Sequence, residues 1–255
     1  MIITDFLLLF ITGLSAGVVN SVAGGGALII FPLLISMGIS PKLANSTISI
    51  GVYGGQISSA YGYKAFLSKI KDKRLFIFLF IGLLGGLTGA LLLDRTSNSN
   101  FESIAPWFVL FAVFLLAIQP YLAKKIKDLA KKSNTPQITL FVLLCIIAGL
   151  ISVYGGFFGG GMGIMIFAIL GFTGIQNVNQ INGMKNLITI SINTSANVYF
   201  VASGLVKWDV GIVLFIGSTI GGYIGSRTAS RLPAQLIRSF VIIAGIVAAI
   251  VLFNK

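Results

Sequence analysis

Two stretches of this chain carry carboxamides and a lysine where almost everything around them is apolar. Residues 44–63 contain Asn45, Ser46, Thr47, Gln56, Ser58 and Ser59, and residues 183–203 follow Asn182 and contain Lys185, Asn186, Asn193, Thr194, Ser195 and Asn197. Such groups are expensive inside a membrane and face the interior of a helix bundle, where they mark a solute path. Lys185 is the only basic residue placed to reach a buried anion; near the inner end of its stretch, it could instead snorkel to the interface. Asn45 and Asn182 serve either a solute or simple helix-to-helix bonding. Covalent chemistry has little to work with. The chain has no histidine, which rules out His-based zinc sites and Ser–His dyads. No Asp or Glu lies deep in a clear apolar span, so no paired-carboxylate protease is expected, and neither an enzyme nor a cofactor fits.

Two glycine runs accompany these polar stretches: "NSVAGGGALIIFP" at 20–32 and "GGFFGGGMGIMIF" at 155–167. Glycine costs a helix interior about 1 kcal/mol relative to alanine, so three together predict a break. The arm after the first break, residues 27–37, would be about 16 Å long at 1.5 Å per residue, half of a hydrocarbon core of roughly 30 Å. Each arm, 27–37 and 162–173, would therefore begin at mid-membrane with unpaired N–H groups and a partial positive charge. Two such ends suit an anion. Close helix packing through small residues is the competing explanation for the glycines.

The elements that must hold these residues are transmembrane helices. Hydrophobic residues make up 56% of the 255 and charged ones only 9%, against roughly 25% charged in soluble domains. The apolar runs are too long for barrel strands. Clear spans are expected at 44–63, 75–93, 104–123, 183–203, 208–226 and 234–252, with broken pairs at 3–19 with 27–37 and 137–154 with 162–173. Residue Asp5 and the lack of a basic leader argue that the first segment is retained. Cys145 is read as a small packing residue, and Trp107 and Trp208 as interfacial belt residues.

The formal net charge of +12 is clustered between spans. The 64–74 loop has five basic residues against Asp72, and the 124–136 loop five (Lys124, Lys125, Lys127, Lys131, Lys132) against Asp128, whereas 94–103 is acidic through Asp94 and Glu102 against Arg95. Arg227, Arg231 and Arg238 form a third cluster. Basic loops lie inside, which predicts both termini outside and a hairpin that returns to its own side in each half. The charge is a topology signal with contacts to anionic lipid, not a nucleic-acid footprint.

The halves align in order: "AGGGALIIF" over "FGGGMGIMI", Asn45 over Asn182, Ser58 over Ser195, and Arg95 over Arg231, at offsets of 135–137. Matching loops carry opposite charge bias, so the expected architecture is all-α and polytopic, with two inverted repeats, each a glycine-broken hairpin plus three transmembrane helices. Its parts are 1–123, a basic linker 124–136, and 137–255. Inverted repeats are typical of secondary transporters that bind at the midplane.

The duplicated GGG hairpin, the Phe31–Pro32 pair after its first copy and the basic central loop together resemble the TauE/SafE sulfite-exporter family, also called the toluene sulfonate uptake permease family, from Gly13 to Phe253. The resemblance implies a bacterial inner-membrane permease for small sulfur-containing oxyanions such as sulfite, sulfoacetate or other organosulfonates. It also implies a site at Gly24, Gly25 and Gly26 with Asn20 and Ser21, and at Gly159, Gly160 and Gly161. Phe167 stands where the first copy has Pro32, and Gly155–Gly156 replace Asn20–Ser21, so the second half-site is less polar. With Asn45, Ser46, Gln56, Asn182, Lys185, Asn186 and Asn193 as walls, the expected activity is alternating-access transport, an anion channel being the alternative. The expected partners are a small anion and the lipid bilayer, with room for a homodimer. Proton coupling, if present, would act through the substrate's own protonation or charge balance.

Overall fold

The computed structural model describes residues 3–22, 24–68, 70, 74–132, 137–173, 175, 177–228 and 234–253, with backbone alone at 119, 122–132, 137, 234–238 and 240. Every regular element among them is helical. The first half comprises α1 (Ile3–Val22), α2 (Ala27–Ser36), α3 (Pro41–Gly62), the single turn α4 (Lys64–Leu67), α5 (Arg74–Arg95) and α6 (Asn98–Lys132). The second comprises α7 (Gln137–Phe157), α8 (Met162–Leu170) with a 3-10 turn at Gly171–Thr173, α9 (Val178–Ala202), α10 (Trp208–Thr228) and α11 (Ala234–Phe253).

Local sequence explains the boundaries. Pro41 opens α3 at a position whose N–H has no intrahelical partner in any case. Asn177 caps α9, its Oδ1 accepting from the N–H groups of Asn179 at 2.9 Å and Gln180 at 3.3 Å. The two glycine runs break the chain in matching ways. The N–H of Gly24 donates to Val19 O at 3.1 Å and that of Gly159 to Tyr154 O at 3.2 Å. Both glycines adopt left-handed backbone, with φ of +86° and +78°, a conformation that costs other residues roughly 1–2 kcal/mol.

Five helical segments among the described residues are long and apolar enough to cross a membrane: α1, α5, Asn98–Ile118 of α6, Ile138–Phe157 of α7, and α10. Their outer faces expose Phe76, Phe80, Leu150 and Ile212, a surface that would aggregate in water and that lipid solvates. The helices α3 and α9, at 22 and 25 residues, are long enough to span (about 33 and 38 Å) but too polar to join that group. They are the two amide-bearing stretches.

Helix α6 continues through Lys132, so the expected linker at 124–136 is helical as far as that residue. Of the expected basic clusters, Lys69, Lys71, Lys73 and Arg231 lie outside the described residues, as do the side chains of Lys124, Lys125, Lys127, Lys131, Lys132 and Arg238.

The helices assemble reciprocally. Helix α10, from the second half, packs on α1 and α3; α5, from the first half, packs on α7 and α9. These two panels meet where α3 crosses α9. Helices α6 and α11 pack on each other and cover α8 and α2. Glycines bring the backbones together within each panel: a Cβ built on Gly17, Gly89 or Gly221 would overlap the carbonyl of Ser218, Val153 or Leu14.

Candidate functional site

A cavity of about 30 Å³ lies where the two breaks face the α3–α9 crossing. One wall comes from α3, through Asn45, Ile48, Ser49, Val52 and Gln56; the opposite wall comes from α9, through Lys185, Asn186, Thr189 and Asn193. These positions recur every three or four residues, so each set forms one stripe of a helix. The breaks close the remaining sides, with Asn20 and Gly24 from the first and Gly155, Gly156, Gly159 and Gly163 from around the second. The two breaks touch: a Cβ on Gly24 would stand 3.1 Å from the backbone of Gly163. Phe200, 1% exposed, stands at one end of the cavity.

Lys185 is 2% exposed and does not snorkel. Its stem runs over Gly163, 3.7 Å from where a Cβ would stand. Its Nζ donates to Asn20 O at 3.0 Å and Ser21 O at 3.3 Å, the last carbonyls of α1. A cation is favoured at such a C-terminal end. The amide oxygen of Asn20 accepts from the Gly26 N–H at 2.8 Å, pinning the start of α2 to the end of α1. At the second break, neutral groups do the equivalent work: Asn45 Nδ2 donates to Phe157 O at 2.9 Å, and the Tyr154 hydroxyl to Gly160 O at 2.6 Å.

Across the crossing, Asn193 Nδ2 donates to Gln56 Oε1 at 3.0 Å and Ser49 Oγ to Asn197 Oδ1 at 2.7 Å. On the lipid side of the same seam the hydroxyls of Tyr53 and Thr194 lie 2.7 Å apart. At one end of α3, Lys42 Nζ donates to Asp94 O at 2.7 Å and Thr96 O at 3.0 Å, while the Asp94 carboxylate accepts from the Tyr199 hydroxyl at 2.7 Å. Among the described residues two buried side-chain polar atoms have no partner: Nδ2 of Asn186, a residue of the cavity wall, and Oδ1 of Asn182.

A family profile described as "Sulfite exporter TauE/SafE" matches residues 9–252. The chain belongs to this family. Its relatives include the "Probable membrane transporter protein YfcA" of Escherichia coli K12, 28% identical over 251 residues that cover 97% of this chain and 89% of the relative. A "Probable membrane transporter protein" of Haemophilus influenzae is 28% identical across 92% of this chain and 89% of its own length. The "Probable membrane transporter protein ORF9" of a Sinorhizobium species is 27% identical across 95% and 90%. Family membership and five apolar helices make this a multi-pass membrane transporter and point away from an enzyme.

Within this TauE/SafE fold, Asn20, Gly24, Asn45, Gln56, Gly159, Lys185, Asn186 and Asn193 meet at the cavity as the sequence suggests. Seven other expected residues lie off its wall. Ser46 points to the Leu43 and Leu205 carbonyls, being one residue, and therefore about 100° of helix, away from Asn45. Gly25 faces Val241 and Leu116, Gly26 packs on Ala16, and Gly161 packs on Ala112. Gly160 contributes its carbonyl to Tyr154. Ser21 turns its hydroxyl back to Val18 O, and Asn182 sits buried outside the cavity. Ser49 and Thr189 also line the cavity, and Tyr154 braces the second break. The first two follow from continuing the three-to-four spacing from Asn45 and Asn186; Tyr154 reads as an interfacial aromatic until the break is folded against it. The expected electrostatics also need correction. A broken helix has two ends at its gap: Asn20 and Gly155–Gly156 line the cavity from the C-terminal turns of α1 and α7, just as Ala27, Met162 and Gly163 line it from the N-terminal turns of α2 and α8.

Proposed function

We propose that the protein is a secondary transporter that moves small sulfur-containing oxyanions, of the sulfite and organosulfonate class, across the bacterial inner membrane by alternating access around this cavity. The observation that carries the reading is the pairing of a buried lysine with an unpartnered buried amide donor on one cavity wall, at Lys185 and Asn186. An ammonium and a free N–H without a carboxylate beside them are complementary to an oxyanion. The family description names sulfite export. The small cavity favours compact head groups over bulky aryl sulfonates.

Two inverted repeats supply the means of alternation. In support, the breaks leave their helices through equivalent bonds at Gly24 and Gly159. The stripe Asn45, Ile48, Ser49, Val52, Gln56 lies over Asn182, Lys185, Asn186, Thr189, Asn193 at a constant offset of 137. Each panel takes helices from both halves. On this alignment Gln56 and Asn193 are equivalents bonded to each other, the relation expected of residues on a two-fold axis. The burial of the wall residues favours a carrier, whose site closes between openings, over a permanently open channel.

Counterflow into liposomes containing the purified protein tests the reading. Trapped unlabelled sulfite should drive transient accumulation of the labelled anion, with sulfoacetate, taurine, thiosulfate and sulfate as comparisons. Large unitary currents without counterflow would establish the channel instead, and the absence of both would refute anion transport of this class.

A further inference from the structure

The charge of the cavity can be summed end by end. Each helix terminus contributes about half an elementary charge, positive at the N-terminal end and negative at the C-terminal end. The cavity is bordered by the C-terminal turns of α1 and α7 and by the N-terminal turns of α2 and α8, so these partial charges offset one another. No Asp or Glu is among the lining residues. What remains is the ammonium of Lys185, 2% exposed and held by two carbonyls. The second break has no matching cation, since the neutral Asn45 amide caps Phe157 O there. Asn186, on the same wall, is likewise 2% exposed, and its Nδ2 has no acceptor.

We propose that this is a single-charge site that selects monovalent oxyanions over divalent ones of similar size, Lys185 setting the valence and Asn186 giving a hydrogen bond to an anion oxygen. The inference rests on the reading above that the cavity holds the transported anion. A monoanion neutralises the lysine and leaves the loaded cavity uncharged. A dianion leaves one negative charge buried without a partner, the costly condition for any interior ion. The offset helix ends add no net charge to the cavity, so they do not neutralise it.

Binding of methanesulfonate and of sulfate to the full chain in lipid nanodiscs tests this, since the two share a tetrahedral sulfur head and keep charges of one and two across neutral pH. Methanesulfonate is expected to bind at least tenfold more tightly. Lys185→Gln should weaken methanesulfonate at least tenfold and bring the two anions within about threefold of each other, while Lys185→Arg keeps the preference. The wild-type comparison stands even if a variant fails to fold. Sulfate binding equal to or tighter than methanesulfonate overturns the valence inference and leaves the anion site in place. Binding of neither anion overturns both.

Discussion

Asn186 holds a buried donor without an acceptor, a state that costs a folded protein about 1–3 kcal/mol. On the proposed function, an anion in the adjacent cavity would supply the missing acceptor. Asn186→Leu, similar in volume, should therefore raise thermal stability in the absence of solute by about 1 kcal/mol. The same variant should lower anion affinity by roughly tenfold or more, as expected for a lost hydrogen bond to a charged group. Stability and binding moving together, in either direction, would assign Asn186 to packing. At this scale the sequence was readable in kind and less so in direction. Amides in apolar stretches pointed to α3 and α9, but whether a given one faces the cavity depends on its angle around the helix. Ser46 and Ser49 differ in nothing but that angle, and Lys185 lies along the wall over Gly163 only once α8 and α9 are packed together.

At the scale of elements, the breaks were legible because three glycines in lipid have few explanations, and the predicted arms, 27–37 and 162–173, match α2 and α8 with their trailing turn. The individual glycines have distinct roles that composition could not divide. Gly24 needs its left-handed backbone and its contact with Gly163, whereas Gly25 has φ outside that region and its nearest neighbour to an added Cβ is a Val241 methyl at 3.4 Å. Gly24→Ala should thus abolish counterflow or sharply reduce the yield of folded protein, with about 1–2 kcal/mol of strain from the backbone alone. Gly25→Ala should retain near wild-type flux. Equal loss in both would mean that the run acts only as a flexible stretch. The glycine runs mark where each arm starts, but no residue type marks the carbonyls at the end of the preceding helix. Those carbonyls are what Lys185 and Asn45 cap.

For the whole molecule, side-chain amides bond across the panels, whereas the closest glycine contacts lie within them, together with hydroxyl-to-carbonyl bonds such as Ser59 to Gly222 O and Ser218 to Gly51 O. The α3–α9 seam, with Ser49–Asn197 and Gln56–Asn193 as its bonds, is where the panels can part. In a Cys145→Ala background, Ser49→Cys with Asn197→Cys should be inhibited at least tenfold by mercuric ion, which bridges two thiolates, and recover with excess dithiothreitol. Each single cysteine should be inhibited several-fold less than the pair. Full flux in the bridged protein would move the opening elsewhere. None of this partition was visible in the linear sequence, since α5 and α10 each leave their own half to pack in the other, and nothing in an apolar run names its partner.

The close contacts of Gly17, Gly89 and Gly221 with facing carbonyls carry a mechanical corollary. Helices joined backbone to backbone have no interlocking side chains that could re-mesh one turn along, so sliding would tear open a void at every step. In the proposed alternating-access cycle each trio of helices would then travel as a stiff plank. On that proposal bending would be left to the two glycine gaps, acting as hinges, and the solute would be admitted by tilting rather than by shear.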